Sequence, residues 1–244
     1  MFDTWLWPPL VLSLPIGAQA FVQQVRAAPS KRRSELSRCT MELRVDVQLA
    51  PGEVDHELKL LHARLEDSGL LQQGTEIINI HSPGLIFRHR EADGEHYIYV
   101  EDADRGCLAG CTVFNRLIEV NRRLDRFVRA PHSKYASEYQ QRGIATAVYE
   151  WALGQGFCLI SGARQSEGAS ALWRSLGTRH RLEFIAVRDK HIQFLGPQVD
   201  QATEDQLQTR MLLLGWGWDL EAWNRAAKSR YSVQGLPPQA GCQR

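Results

Sequence analysis

Residues 139–156 read YQQRGIATAVYEWALGQG. A polar turn with one glycine runs straight into a segment that places Ala147, Val148, Trp151 and Ala152 on one helical face. Gly154 and Gly156 close that helix. The next segment, FCLISG, is continuously apolar, as expected of a parallel strand buried on both faces. Such a turn leaves unpaired backbone N–H groups at the helix start, where the helix dipole adds partial positive charge. Small residues there let an anion approach the backbone, and a diphosphate fits that description. An ordinary tight strand-to-helix turn satisfies the same residues, and from these residues alone both readings stay open.

The flanking sequence supplies the rest of a mixed sheet. MELRVDVQL, from Met41, alternates as a half-buried strand does, and Pro51-Gly52 breaks it. Val54, Leu58, Leu61 and Leu65 then recur at helical spacing. TEIINIHS and GLIFRHR read as short strands, and HYIYVEDA with GCLAGCTVF as a hairpin. NRLIEVNRRLDRFVRA reads as the far end of that hairpin followed by another strand. After FCLISG, EGASALWRSLG is a short helix stopped by Gly177, and LEFIAVRD with HIQFLGP forms a closing hairpin around Asp189-Lys190. The fold class expected is α/β (α+β): a mixed, mostly antiparallel central sheet flanked by helices.

Three regions are expected: 1–40, 41–199 and 200–244. The first has a short apolar run ending in Ala18-Gln19-Ala20, similar to a signal-peptidase site. No Lys or Arg precedes that run, and Pro8, Pro9 and Pro15 interrupt it. Residues 1–40 are therefore expected to be a disordered leader or an over-long start, with folding from Met41. In the last region Leu207, Met211, Leu214, Trp218 and Trp223 suggest an apolar helical stripe. It is expected to pack on the domain, to cover an acceptor site or to form a homodimer surface. The remainder reads as a tail.

The chain has 244 residues, 43% apolar, with a formal charge of +1. That suits one ordinary globular domain and argues against a chain built to coat nucleic acid. The apolar run of the first region is too short for a membrane span. Five cysteines are scattered with no metal-ligand spacing. Cys107 and Cys111, about 13 Å apart on one strand, cannot bridge. Free thiols in a reducing, cytoplasmic setting are expected.

YQQRGIAT resembles the acyl-CoA-binding motif Q/R-x-x-G-x-G/A of the GNAT superfamily of N-acetyltransferases, with Gln140, Gly143 and Ala145 at its defining positions. SEGASALWRSLG is similar to the family's N-x-x-A-x-x-L-Y-x-x-L-G segment, with Ala169, Leu172, Leu176 and Gly177 in register. The resemblance covers residues 95–197. It implies that Gln140, Gln141, Arg142, Gly143, Ile144, Ala145 and Thr146 cradle the diphosphate of acetyl-CoA, with no metal. It also implies that the pantetheine lies where the strand before Tyr139 and the FCLIS strand splay. The reaction implied is acetyl transfer to a primary amine of a small molecule or protein.

The chain departs from that pattern at two positions. Trp173 stands where the family's thiolate-protonating Tyr is usual, and its indole N–H is not a useful acid. Ser166 stands at the family's Asn. Glu119 falls in the strand region that often supplies a general base; Glu138 is a rival, though a surface turn suits it better. Tyr149 reads as helix packing. His132 and Ser133 sit where a strand can meet the cleft. Arg116, Arg122, Arg123, Arg126 and Arg129 read as a solvated face, or as a patch for the CoA 3′-phosphate, an acidic acceptor or nucleic acid. The expected function is thus a cytoplasmic N-acetyltransferase. The alternative is a non-catalytic CoA-binding or interaction module with a degenerate site.

Overall fold

The computed structural model describes residues 51–228; the strand expected from Met41, residues 1–40 and the tail lie outside them. Pro51 opens helix α1 (Pro51–Asp67), with Glu53 in the first turn and Arg64 in the last, as the helix dipole favours. Leu58 and Leu65 are buried, and Val54 and Leu61 pack beside them. A short helix α2 (Leu70–Gln73) leads to the two-residue strand β1 (Glu76–Ile77).

An antiparallel meander follows: β2 (Leu85–Ala92), β3 (Glu95–Asp102) and β4 (Cys107–Asn115). Asp93 and Gly94 join β2 to β3 with φ of 56° and 75°. Positive φ at both positions matches the right-handed strand twist, which explains the Asp-Gly pair. In β4, Ala109 is an extra residue, because Val100 pairs with Gly110 while Glu101 pairs with Leu108.

A loop and a four-residue helix α3 (Arg122–Asp125), capped by the Asn121 side chain, lead into β5 (Val128–Tyr135), antiparallel to β4. A 3₁₀ turn (Ser137–Tyr139) and helix α4 (Ile144–Gly154) cross to β6 (Cys158–Ile160), parallel to β5. Helix α5 (Glu167–Gly177), strands β7 (Leu182–Arg188) and β8 (His191–Gly196), and a short helix α6 (Gln201–Glu204) follow. Strand β9 (Thr209–Leu213) and helix α7 (Leu220–Lys228) complete the described chain. The sheet order is β1-β2-β3-β4-β5-β6-β9-β7-β8, and β5–β6 is its parallel pair.

Residues of alternate parity face opposite ways along each strand. One face carries Phe114, Ser133 and Tyr135, under α4 and α5. The other carries Lys134, paired with Glu57 of α1, and Val128, Cys158, Ile160 and Leu212, which pack with Val120 and Trp223.

The segment from Leu207 is not the expected helix. TRMLL is a strand with all five residues buried, inserted between β6 and β7. A short apolar run buried on both faces has no distinguishing period, so helical spacing there was coincidental. The region after residue 199 therefore contributes a central strand rather than an extension. Trp218 donates from Nε1 to the Gly156 carbonyl at 2.9 Å, and Trp223 packs edge-on against Phe194 and Trp218. Of this segment's tryptophans, Trp216 alone is largely exposed, at 63%.

Leu213, the last residue of β9, is fully buried. Leu213→Ala is expected to lose about 2–5 kcal/mol in urea unfolding, as for other buried leucines. A loss below about 0.5 kcal/mol would mean that β9 is not part of the core. His96 is buried on β3, and burial first, then Arg129, lowers its pKa to about 4. Between pH 6.5 and 4 the unfolded chain takes up the proton and the folded one does not, so stability falls as pH falls through that window. The effect is at most about 3 kcal/mol, and His96→Gln should flatten the dependence in the same titration.

Candidate active site

The turn that leaves β5 is tied at its start. The Gln140 side chain donates from Nε2 to the Tyr135 carbonyl at 2.9 Å, and Ile144 is buried below. Gln141 and Gly143 take left-handed φ of 58° and 76°. Gly143 is the N-cap of α4, and no side chain caps that helix. A Cβ at Gly143 would meet nothing within 4 Å. Glycine is required here for its φ, and the space outside the turn is open. An uncapped helix start facing open space is the geometry that receives an anionic group. Gln141, Arg142 and Gly143 are exposed at its rim, and Ala145 and Thr146 are half-buried in the first turn.

Tyr139 stiffens this rim. The Arg142 and Arg105 guanidiniums lie over its ring, at 5.4 and 5.9 Å from the centroid. Its hydroxyl donates to Asp102 Oδ2 at 2.7 Å, which with the Arg105 backbone N–H holds that carboxyl below its ordinary pKa. Glu138 pairs with Arg105 and remains a surface residue. The sequence analysis missed Asp102, Arg105 and Tyr139; the Asp-rich hairpin turn at 102–106 was the available signal.

Strands β5 and β6 pair only at Val128 with Cys158 and Arg129 with Leu159. From Ala130 to Tyr135, β5 keeps its ladder to β4 and has no described strand partner towards β6. That splay lies at the same end as the turn. Hydroxyls cluster beside it: Thr112 Oγ1 lies 2.8 Å from Ser133 Oγ and 2.9 Å from the Tyr135 hydroxyl, and Ser133 donates to the Tyr149 hydroxyl at 3.3 Å. Burial pushes the Tyr149 phenol up to about 12. Tyr149 is thus a packed residue, against Phe114 and Trp173, that also joins a polar network.

The expected catalytic trio is not brought together in one cluster by any contact seen. Trp173 is buried, 3% exposed, edge-on to Tyr149. Ser166 is the N-cap of α5, its Oγ accepting from the Ala169 N–H at 3.3 Å. Glu119 does not lie on a strand. It sits on the exposed turn between β4 and α3, 3.9 Å from Arg210 of β9, because Leu117 and Val120 of that turn pack on the sheet instead of extending β4. His132 is exposed on β5. The arginine run is not one solvated face: Arg129 is buried, Arg116 pairs with Asp125, and the group lies by the paired end of β5. Among the described residues no group of three or more His, Cys, Asp or Glu side chains could hold a metal ion, and no helix is long and apolar enough to cross a membrane.

No protein-family model matches this chain, and no curated protein matches it. Among solved structures it is similar to a phosphinothricin acetyltransferase of Sinorhizobium meliloti in complex with AcCoA, a GNAT-superfamily protein. The two are 24% identical over 51% of this chain and 63% of that one, with a TM-score of 0.32. It is also similar to a mutant of the spermidine N-acetyltransferase SpeG of Vibrio cholerae, at 17% identity, 68% and 90% coverage and a TM-score of 0.31. A ribosomal-protein-S5-alanine acetyltransferase of Vibrio fischeri matches at 15%, 66% and 70%, with a TM-score of 0.29.

Ser166→Ala is expected to cost about 1 kcal/mol, the usual effect of losing a serine N-cap. Thermal unfolding measures it, and an unchanged melting temperature would contradict the capping role. The glycine turn at an uncapped helix start and the splay of β5 from β6 beside it sit in a mixed, mostly antiparallel sheet flanked by helices.

Proposed function

We propose that this protein is an N-acetyltransferase that passes an acetyl group from acetyl-CoA to a primary amine on a small molecule or protein. One observation carries the reading: the uncapped turn at Gly143 opens at the same end of the sheet as the splay between β5 and β6. Residues 140–146 suit the CoA diphosphate, with backbone N–H groups as donors and Arg142 adding charge. The unpartnered edge of β5 suits the amides of pantetheine, since strand-edge N–H and C=O groups need partners. Free thiols at Cys107, Cys111 and Cys158 are in keeping with a cytoplasmic protein.

In the reaction proposed, the amine nitrogen attacks the thioester carbonyl, a C–N bond forms and the C–S bond breaks. The amine proton must go to a base, and the departing thiolate must receive one. Glu119, an exposed carboxylate beside Arg210, is the candidate base. Trp173 supplies no acid. Tyr149, in edge contact with it and bonded to Ser133, is the candidate acid. A second reading is a CoA-binding module without turnover, favoured by the tryptophan and by the capping role of Ser166.

Calorimetric titration with acetyl-CoA tests the proposal. Wild type is expected to bind, and Gly143→Glu, which sets a carboxylate in the open space, to lose at least about tenfold in affinity. Glu119→Gln should bind normally but transfer acetyl to an amine panel at least about 100-fold more slowly. No binding by wild type would overturn the proposal, and binding without transfer to any amine would favour the module.

A further inference from the structure

Past the other end of α4, Phe157 lines a cavity rich in charged residues. The helix of 11 residues puts about 16 Å between its ends at the usual rise. Beyond its last turn the Phe157 ring lies 5.1 Å from the Arg129 guanidinium carbon. Arg129 is 5% exposed. Its Nη1 donates to the carbonyls of Asp125 and Val128 at 2.6 and 2.8 Å, while its Nε is buried with no partner. Asp125 accepts from Arg116 on Oδ2, and its Oδ1 is likewise buried without a partner.

These residues line a cavity of about 470 Å³ together with Arg122, Arg126 and Glu91. Four arginines against two carboxylates leave a formal charge of +2 in the lining. His96, also at its wall, adds none, because burial keeps it neutral at ordinary pH. A buried donor and a buried acceptor, both unmatched, cost free energy unless a bound group supplies their complements. The volume suits a small metabolite.

We propose that this cavity binds a small hydroxylated phosphomonoester, such as a sugar phosphate, at a site separate from the acyl-donor turn. Guanidiniums recognise phosphate through paired, charge-assisted hydrogen bonds. A hydroxyl of the same molecule is the donor that Asp125 Oδ1 lacks. A plain carboxylate offers acceptors only and leaves that oxygen unmatched. The inference stands independently of the acetyl-transfer reading.

Calorimetry with the full chain tests it, using ribose 5-phosphate, inorganic phosphate, tricarballylate (a tricarboxylate without a hydroxyl) and ribose as probes. Ribose 5-phosphate is expected to bind at least about tenfold more tightly than phosphate or tricarballylate, and ribose not at all. Arg122 is exposed on α3, so Arg122→Glu should fold normally, which its circular dichroism checks. That variant should weaken ribose 5-phosphate at least about tenfold, while Gly143→Glu changes it less than about twofold. No binding at about 10 mM, or equal binding of tricarballylate, would overturn the proposal. So would loss of binding in Gly143→Glu with none in Arg122→Glu, which would assign the phosphate to the acyl-donor turn.

Discussion

Strands β5 and β6 share two residue pairs and then part. Much of the candidate site depends on that separation. Each strand can leave the other because its opposite edge is held: β5 by a six-residue ladder to β4, and β6 by β9. The backbone groups of β5 that would have bonded β6 are left on the edge of a cleft. Buried backbone groups of that kind need partners, and an extended amide-bearing ligand is one way to supply them.

The cleft is set by elements on both sides. Gln140 fastens the turn to the last residue of β5, and the left-handed residues Gln141 and Gly143 rotate the chain into α4. Tyr139 fixes the rim through Asp102 and two arginines. Helix α4 therefore presents an open, positively polarised start at the splayed end of the strands. Its far end is charged for a different reason: Arg129 is held at the paired end of β5 by main-chain carbonyls, with Phe157 beneath it. One crossover thus separates two electropositive regions, one made by backbone and one by side chains.

Strand β9 shows how far the core depends on late sequence. Gly215, just after it, packs so closely that a Cβ would lie 2.3 Å from the Phe157 carbonyl oxygen. The exit from β9 and the entry to β6 are therefore fitted to each other. Trp218 bonds the Gly156 carbonyl at the same junction. The tryptophans that suggested an external surface are in large part the packing that closes this end of the sheet.

The glycine turn, α4, β6, α5 and the β2–β3–β4 meander were legible in the sequence because each carries a local signal. These signals are helical periodicity, a continuous apolar run, a glycine stop and strand patterns bounded by turn residues. The mixed sheet with helices on both faces follows from their order. The position of β9 was not legible, since its apolar half, Met211 to Leu213, has no period of its own and only the β6 and β7 edges make it a strand. Nor were the places of Glu119 and Arg129. Whether a charged residue on a connection turns to solvent or inward depends on what the neighbouring apolar residues can bury, and here Leu117 and Val120 decided it. Local backbone preference and pattern lie in the sequence by itself. Which edges pair, where two strands part and which charges end up without water come from long-range packing, and only the tertiary structure decided them.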